Sequence, residues 1–185
     1  MGVNAYRCSH HAPAPALLRA CDELGMLVMD ETRLFGTSPE AVRQLTSVME
    51  RDRNHPCVFI WSLGNEEFSV QNDPWSHRLM KKMTRIAKAL DDTRPVTYSG
   101  NNGPTFAGAN GAAEVRGVNY IRGVLHEDGR WLDRYHADHP HQPIIGTEES
   151  SYVLSRGGAR TDLGNGLLDS SGLITMPWGS TPKGW

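Results

Sequence analysis

VFIWSLGNEE, Val58 to Glu67, is an apolar run rich in β-branched and aromatic residues that breaks abruptly into Gly64, Asn65 and two adjacent carboxylates. Val58, Phe59, Ile60 and Trp61 show no polar alternation, which fits a strand covered on both faces in a parallel sheet. In barrels of parallel strands, chemistry is done at the C-terminal strand ends, and a carboxylate directly after such a run lies there. One strand alone does not decide the matter, because most strands end in polar residues without doing chemistry.

PIIGTEES, Pro143 to Ser150, is a second short apolar run ending in two carboxylates, Glu148 and Glu149. Two such endings make a candidate pair. Hydrolysis of a glycosidic bond needs two carboxyl groups, one to donate a proton and one to attack or to activate water. Glu66 and Glu148 are separated by roughly 80 residues, enough for intervening strand and helix units of about 30 residues each.

Around this pair the sequence resembles a known family. RCSHH, LVMDE, RDRNHP, WSLGNEE, GVNY and PIIGTEES occur in the order found in the catalytic barrel of glycoside hydrolase family 2, the family of β-galactosidases, β-glucuronidases and β-mannosidases. The resemblance runs from about Gly2 to Ser151. It implies an α/β chain with the (β/α)8 TIM-barrel fold. It also implies that Glu66 is the acid/base, with Asn65 beside it contacting a sugar hydroxyl and Glu67 only a neighbour. Glu148, rather than Glu149, becomes the nucleophile. His10 is implied as a second sugar contact, Arg7 as support for the nucleophile, Asp30 and Glu31 as supports at the base of the site, and Tyr120 as a hydrogen-bond donor to Glu148. His10 and Arg7 also read as structural, since a histidine beside a strand end is often only a loop hydrogen-bonder.

In chain order, strands are expected to begin near Val3, Met26, Val58, Pro95, Val115 and Pro143. Leu17, Cys21 and Leu24 mark the buried stripe of a helix stopped by Gly25. Ser38-Pro39 and Asp73-Pro74 read as N-cap and N1 pairs. The stripes that follow them are Val42, Leu45, Val48, Met49 and Leu79, Met83, Ile86, Leu90. Trp131, Leu132 and Tyr135 open a short helix. SGNNGPTFAGANGAA is a long loop of the kind that shapes access on a catalytic rim. His55 precedes its strand and reads as a structural hydrogen-bonder on the face away from the chemistry.

A closed barrel of this class has eight strands and typically about 250 residues. The sequence supplies about six β/α units, so the expectation is an incomplete barrel over residues 1–151, with its first and last strands missing. Residues 152–185 are expected to form a rim loop or tail leading towards the last strand. That stretch is rich in Gly, Ser, Thr and Pro, with only a brief apolar segment from Leu173 to Met176. The β-sandwich domains that precede the family barrel are not expected in this chain.

Composition bounds the partners. The chain has 185 residues, 38% hydrophobic and 22% charged, with formal net charge −2 and scattered basic residues. Neither a nucleic-acid surface nor a membrane span is expected, as no apolar run approaches the ~20 residues a span needs. Nor does a signal peptide read from the start of the chain, which fits cytoplasmic residence or export within a longer parent. Cys8, Cys21 and Cys57 lack Cys-x-x-Cys spacing and read as reduced core thiols. Thr32, Arg33, Leu34, Phe35 and Gly36 stand where some family members bind a divalent cation. Arg33 and Phe35 are not hard-cation ligands, so no magnesium site of that kind is expected. The histidines of HADHPH, His136, His139 and His141, lack an acidic ligand group and are not read as a metal site.

The function expected is retaining β-glycoside hydrolysis without a cofactor, with a β-galactoside or related oligosaccharide as substrate. Alternatives are a β-glucuronidase or β-mannosidase relative, or a catalytically inactive piece of such an enzyme. A homo-oligomer of the full-length protein remains open. The 185-residue chain expressed by itself should associate and should be inactive or nearly so, because its outermost strands are apolar edges with unpaired backbone groups. Light scattering and an aryl β-galactoside assay check this, and a monomer with turnover near that of a full-length relative contradicts it.

Overall fold

The six apolar runs become six strands in the computed structural model, which describes residues 2–103, 107–120 and 130–148. These are β1 (Ala5–Arg7), β2 (Leu27–Glu31), β3 (Val58–Asn65), β4 (Val96–Gly100), β5 (Val115–Asn119) and β6 (Ile144–Glu148). Helices α1 (Pro15–Leu24), α2 (Pro39–Asp52), α3 (Pro74–Leu90) and α4 (Arg130–Asp138) lie between them in the chain. The strands form one sheet in sequence order, and every neighbouring pair is parallel.

Side chains on the outermost strands show that the sheet is curled. Laid flat at the usual ~4.8 Å spacing, β1 and β6 would stand roughly 24 Å apart, beyond the span of any arginine. Yet Arg7 Nη1 on β1 donates to Thr147 O at 3.1 Å and to Glu148 Oε2 at 3.0 Å, both on β6. Six sequential parallel strands closing on themselves in this way are an incomplete TIM barrel, as the sequence implied. Residues of β1, β2, β3 and β6, among them Tyr6, Met29, Phe59 and Ile145, line one pocket.

The apolar core lies on the outer side of the sheet, beneath the helices. Val28, Val58, Trp61, Leu63, Val96 and Tyr98 pack there against Leu18, Cys21, Leu45, Met49, Met80 and Met83. The side facing the barrel axis is polar near the C-terminal strand ends, where Glu31, Ser62, Ser99, Asn119 and Thr147 are buried. Alternation along the strands divides the two sets, interrupted on β3 by shifts of register after Val58 and between Ser62 and Asn65. Because both faces are covered, β3 shows no exposed position along its length.

Caps formed as expected. Ser38 Oγ accepts from Ala41 N at 3.2 Å and Asp73 Oδ1 from Trp75 N at 2.9 Å, each with proline at the first helical position. Gly25 ends α1 in the left-handed region at φ 68°, where glycine carries no Cβ penalty. The helix faces differ from the expected stripes. Leu24, the last residue of α1, is 76% exposed, whereas Leu18 and Cys21 are buried, because the helix turns Leu18 and Cys21 onto the sheet and Leu24 away from it. In α3 the fully buried positions are Ser76, Met80, Met83 and Ala87, with Leu79, Ile86 and Leu90 at the margin.

All three cysteines are free and buried, and burial pushes the Cys8 and Cys57 thiols up to about 12. His55 is a structural hydrogen-bonder, with Nδ1 2.5 Å from Asp22 Oδ2. Against the effect of burial, bonds from Cys57 and His55 hold Asp22 down at about 2. No helix among the described residues is long and apolar enough to cross a membrane. The expected loop or tail over 152–185 lies outside the described residues.

Asp30 faces the helices rather than the barrel axis and is 1% exposed. Burial, then the neighbouring Asp52 carboxylate, push its carboxyl up to about 8, while Asp52 is itself held by Nε and Nη2 of Arg51, each at 2.6 Å. A carboxyl raised in the folded state contributes its full stability below the unfolded value of ~4 and loses it as pH rises to the folded value. Melting of the full-length protein between pH 4 and 9 should therefore show a decline that Asp30→Asn flattens. Parallel curves for the two proteins would contradict this reading of Asp30.

Candidate active site

Arg7, at the end of β1, is the hub of the site. Its Nε donates to Glu31 Oε2 at 3.0 Å and its Nη2 to Glu31 Oε1 at 3.2 Å, while Nη1 reaches Glu148 Oε2 at 3.0 Å. The same Nη2 also donates to Asn65 Oδ1 at 2.6 Å. One guanidinium fork thus joins β1, β2, β3 and β6. Arginine suits this task, since its planar donors stay charged and meet two carboxylates at fixed angles. Glu31, with no exposed surface, also accepts from Ser62 Oγ at 2.8 Å. His10 Nδ1 lies 3.1 Å from Glu31 Oε1 and 3.3 Å from Arg7 Nη2, so its tautomer decides whether it donates to the first or accepts from the second.

β3 delivers Asn65 and Glu66 through a strained turn. Glu66 has φ 40°, in the left-handed region that non-glycine residues rarely occupy, and its N–H donates to Ser99 O at 3.0 Å. Gly64 is required just before it. A Cβ there would meet Phe35 Cβ at 2.9 Å and Tyr98 Cε2 at 3.0 Å, within an aromatic pair whose ring centroids are 4.8 Å apart. Asn65 Oδ1 accepts from both Arg7 and Asn119, so the amide nitrogen is the end turned away from them. Glu67 is directed elsewhere, with its carboxylate 3.7 Å from Arg33 and its N–H on Tyr98 Oη at 2.9 Å.

β5 and β6 complete the constellation. Tyr120, also strained at φ 59°, donates its hydroxyl to Glu148 Oε1 and its backbone N–H to Glu148 O. Asn119 Nδ2 lies 2.6 Å from Glu66 Oε1 and 3.4 Å from Glu148 Oε2. Those two carboxylate oxygens are consequently no more than about 6 Å apart. Burial raises the Glu66 carboxyl, with the Glu148 charge adding to it, while Asn119, Arg7 and His10 oppose the rise.

Of the residues singled out from sequence, the structure brings together Arg7, His10, Glu31, Asn65, Glu66, Tyr120 and Glu148. It does not bring Asp30 with them. Asp30 and Glu31 are both within β2 rather than after it, so strand alternation sends them to opposite faces. Asp30 packs by Asp52 beneath the helices. Glu149 lies outside the described residues. Asn119 and Thr147 were not read as site residues, although each is the polar, inward-facing position next to one that was. Asp22, His55 and Cys57 offer metal-capable atoms together, but Asp22 is already bonded by both partners, and the group sits at the opposite end of β3.

The model for the glycosyl hydrolases family 2 TIM-barrel domain matches residues 1–44 and 36–165. The β-galactosidase BoGH2A of Bacteroides ovatus is 33% identical over 203 aligned positions, covering 85% of this chain and 23% of that protein. A β-galactosidase of Yersinia enterocolitica is 36% identical over 119 positions, covering 56% of this chain and 11% of its own length. A solved family 2 glycosyl hydrolase from Bacteroides cellulosilyticus is similar at a TM-score of 0.61 and 34% identity, over 85% of this chain and 21% of that one. A Bacteroides uniformis β-glucuronidase is similar at 0.68 and 26%, over 80% of this chain and 21% of that one. The chain spans about a quarter or less of the length of these relatives. The match to the family model extends over most of the chain, and the chain belongs to glycosyl hydrolase family 2, as part of its TIM-barrel domain.

Proposed function

We propose that the chain is part of the catalytic domain of a retaining β-glycoside hydrolase acting on β-galactosides. The observation that carries the reading is the shared Asn119 amide, which leaves oxygens of Glu66 and Glu148 within about 6 Å, near the spacing of ~5 to 5.5 Å that suits double displacement. The relatives at 33% and 36% identity that are named β-galactosidases support galactose as the sugar.

In this mechanism Glu148 attacks the anomeric carbon as Glu66 gives its proton to the departing oxygen, leaving a glycosyl ester on Glu148. Glu66, now a carboxylate, takes a proton from water, and that water attacks the anomeric carbon and frees Glu148. Partial burial suits Glu66 to the first role, since a raised carboxyl retains its proton nearer neutral pH. Tyr120 and Arg7 bond the two oxygens of Glu148 and fix its direction of attack. Asn65 presents its amide nitrogen, and His10 its ring, to sugar hydroxyls. Glu31 holds Arg7. No step requires a cofactor.

In the full-length protein, Glu148→Ala should abolish turnover of aryl β-galactosides. Glu66→Ala should lose roughly 10² to 10⁴-fold on substrates with poor leaving groups and far less on those with good ones, with partial rescue by azide. Kinetics across a leaving-group series make the comparison. Equal loss for every leaving group would remove Glu66 from the acid role, and faster turnover of an aryl β-glucuronide would displace galactose.

A further inference from the structure

Asn119 has one amide nitrogen and three acceptors around it: Glu66 Oε1 at 2.6 Å, Asn65 Oδ1 at 3.0 Å and Glu148 Oε2 at 3.4 Å. An amide offers two hydrogens, so the three acceptors compete. The other end of the side chain is fixed. Asn119 Oδ1 accepts from Thr147 Oγ1 at 2.5 Å, and both residues are buried, at 0% and 8% exposure. With the oxygen tied to β6, the amide is held with its nitrogen toward the two carboxylates. Flipping it would turn an acceptor on both of them.

We infer that Asn119, locked in orientation by Thr147, is a positioning residue whose shared amide follows the negative charge between Glu148 and Glu66. The inference rests on the function proposed above and adds to it the residue pair that sets the protonation of the acid/base. Before attack the charge is on Glu148 and the proton on Glu66. Once the glycosyl ester forms, Glu148 is neutral and Glu66 carries the charge, at the shorter of the two amide distances. Charge-assisted bonds are roughly twice as strong as neutral ones, so the donor favours whichever carboxylate is ionised.

The other groups facing Glu66 and Glu148 are Arg7 and His10 from β1 and the turn after it, Glu31 from β2 and Tyr120 from the end of β5. β4 contributes Ser99, which is uncharged, and Tyr98, whose phenol is pushed up by burial and by the charges of Glu67, Glu66 and Glu31 and so stays neutral. Arg7 already divides its donors among Glu31, Asn65, Thr147 and Glu148, and Tyr120 is committed to Glu148. Asn119 is the described residue whose side chain donates to Glu66.

Removing that donor disfavours ionised Glu66, so Glu66 should keep its proton to higher pH. The experiment is the pH profile of kcat/KM on an aryl β-galactoside for the full-length wild-type protein, Asn119→Ala and Thr147→Val. The alkaline limb, which reports loss of the Glu66 proton, should move up by roughly half a pH unit or more in Asn119→Ala and by less in Thr147→Val. A purely structural role would lower kcat or melting temperature and leave the limb in place. Thr147→Val keeps Asn119 present and supplies the same readout where Asn119→Ala yields no folded protein. A limb that stays or moves down in folded variants overturns the inference alone. A wild-type protein without glycosidase turnover overturns the proposed function and the inference with it.

Discussion

The contact between Arg7 and the two carboxylates Glu31 and Glu148 is the constraint on which the rest of the site depends. It is made across the barrel axis, from the first strand of the sheet to the last, so it exists only while the sheet is curled. The side chains of Arg7 and Glu31 are 11% and 0% exposed, and a charge so placed is tolerable only when paired and hydrogen-bonded. Deleting one partner of such a pair typically costs about 3 to 5 kcal/mol, because the other is left charged and dry. Fold and site are therefore coupled through one guanidinium. The shape of the sheet positions Glu148, and the charges of Glu31 and Glu148 hold the outermost strands toward one another.

Strain is stored at the two places where the chain leaves a strand carrying a site residue. Glu66 and Tyr120 both take up positive φ, at a cost on the order of 1 to 3 kcal/mol each for non-glycine residues. The surroundings over-determine both. Glu66 is pinned by its backbone bond to Ser99 and by the tight fit of Gly64 against Phe35 and Tyr98, and Tyr120 by its backbone bond to Glu148. Glycine at either position would relax the backbone and remove the group that the strain presents.

Much of this arrangement was legible because strand ends announce themselves. A short apolar run ending within a few residues in paired acids gave β3 and β6, and Ser38-Pro39 and Asp73-Pro74 gave the starts of α2 and α3. The phase of a helix was less legible. Leu17, Cys21 and Leu24 repeat at helical spacing as well as the residues actually buried do, and only the sheet beneath selects Leu18 over Leu24. Inward and outward positions at a strand tip were the other gap. Whether Asp30 or Glu31 faces the axis depends on where β2 ends, and β2 runs through both. Asn119 and Thr147 were overlooked for a related reason: each sits beside a conspicuous residue, Tyr120 or Glu148, and its role comes from a bond between strands that no spacing reveals.

The assignment of Glu148 as the group that bonds to the sugar is the claim from which the mechanism follows. It is tested most directly by incubating the full-length protein with an aryl 2-deoxy-2-fluoro-β-galactoside, which slows release of the glycosyl ester, and mapping the labelled residue by peptide mass spectrometry. The account predicts one sugar per protein, on Glu148. A label on Glu149, Glu66 or any other carboxylate, or turnover with inversion at the anomeric carbon, would contradict it.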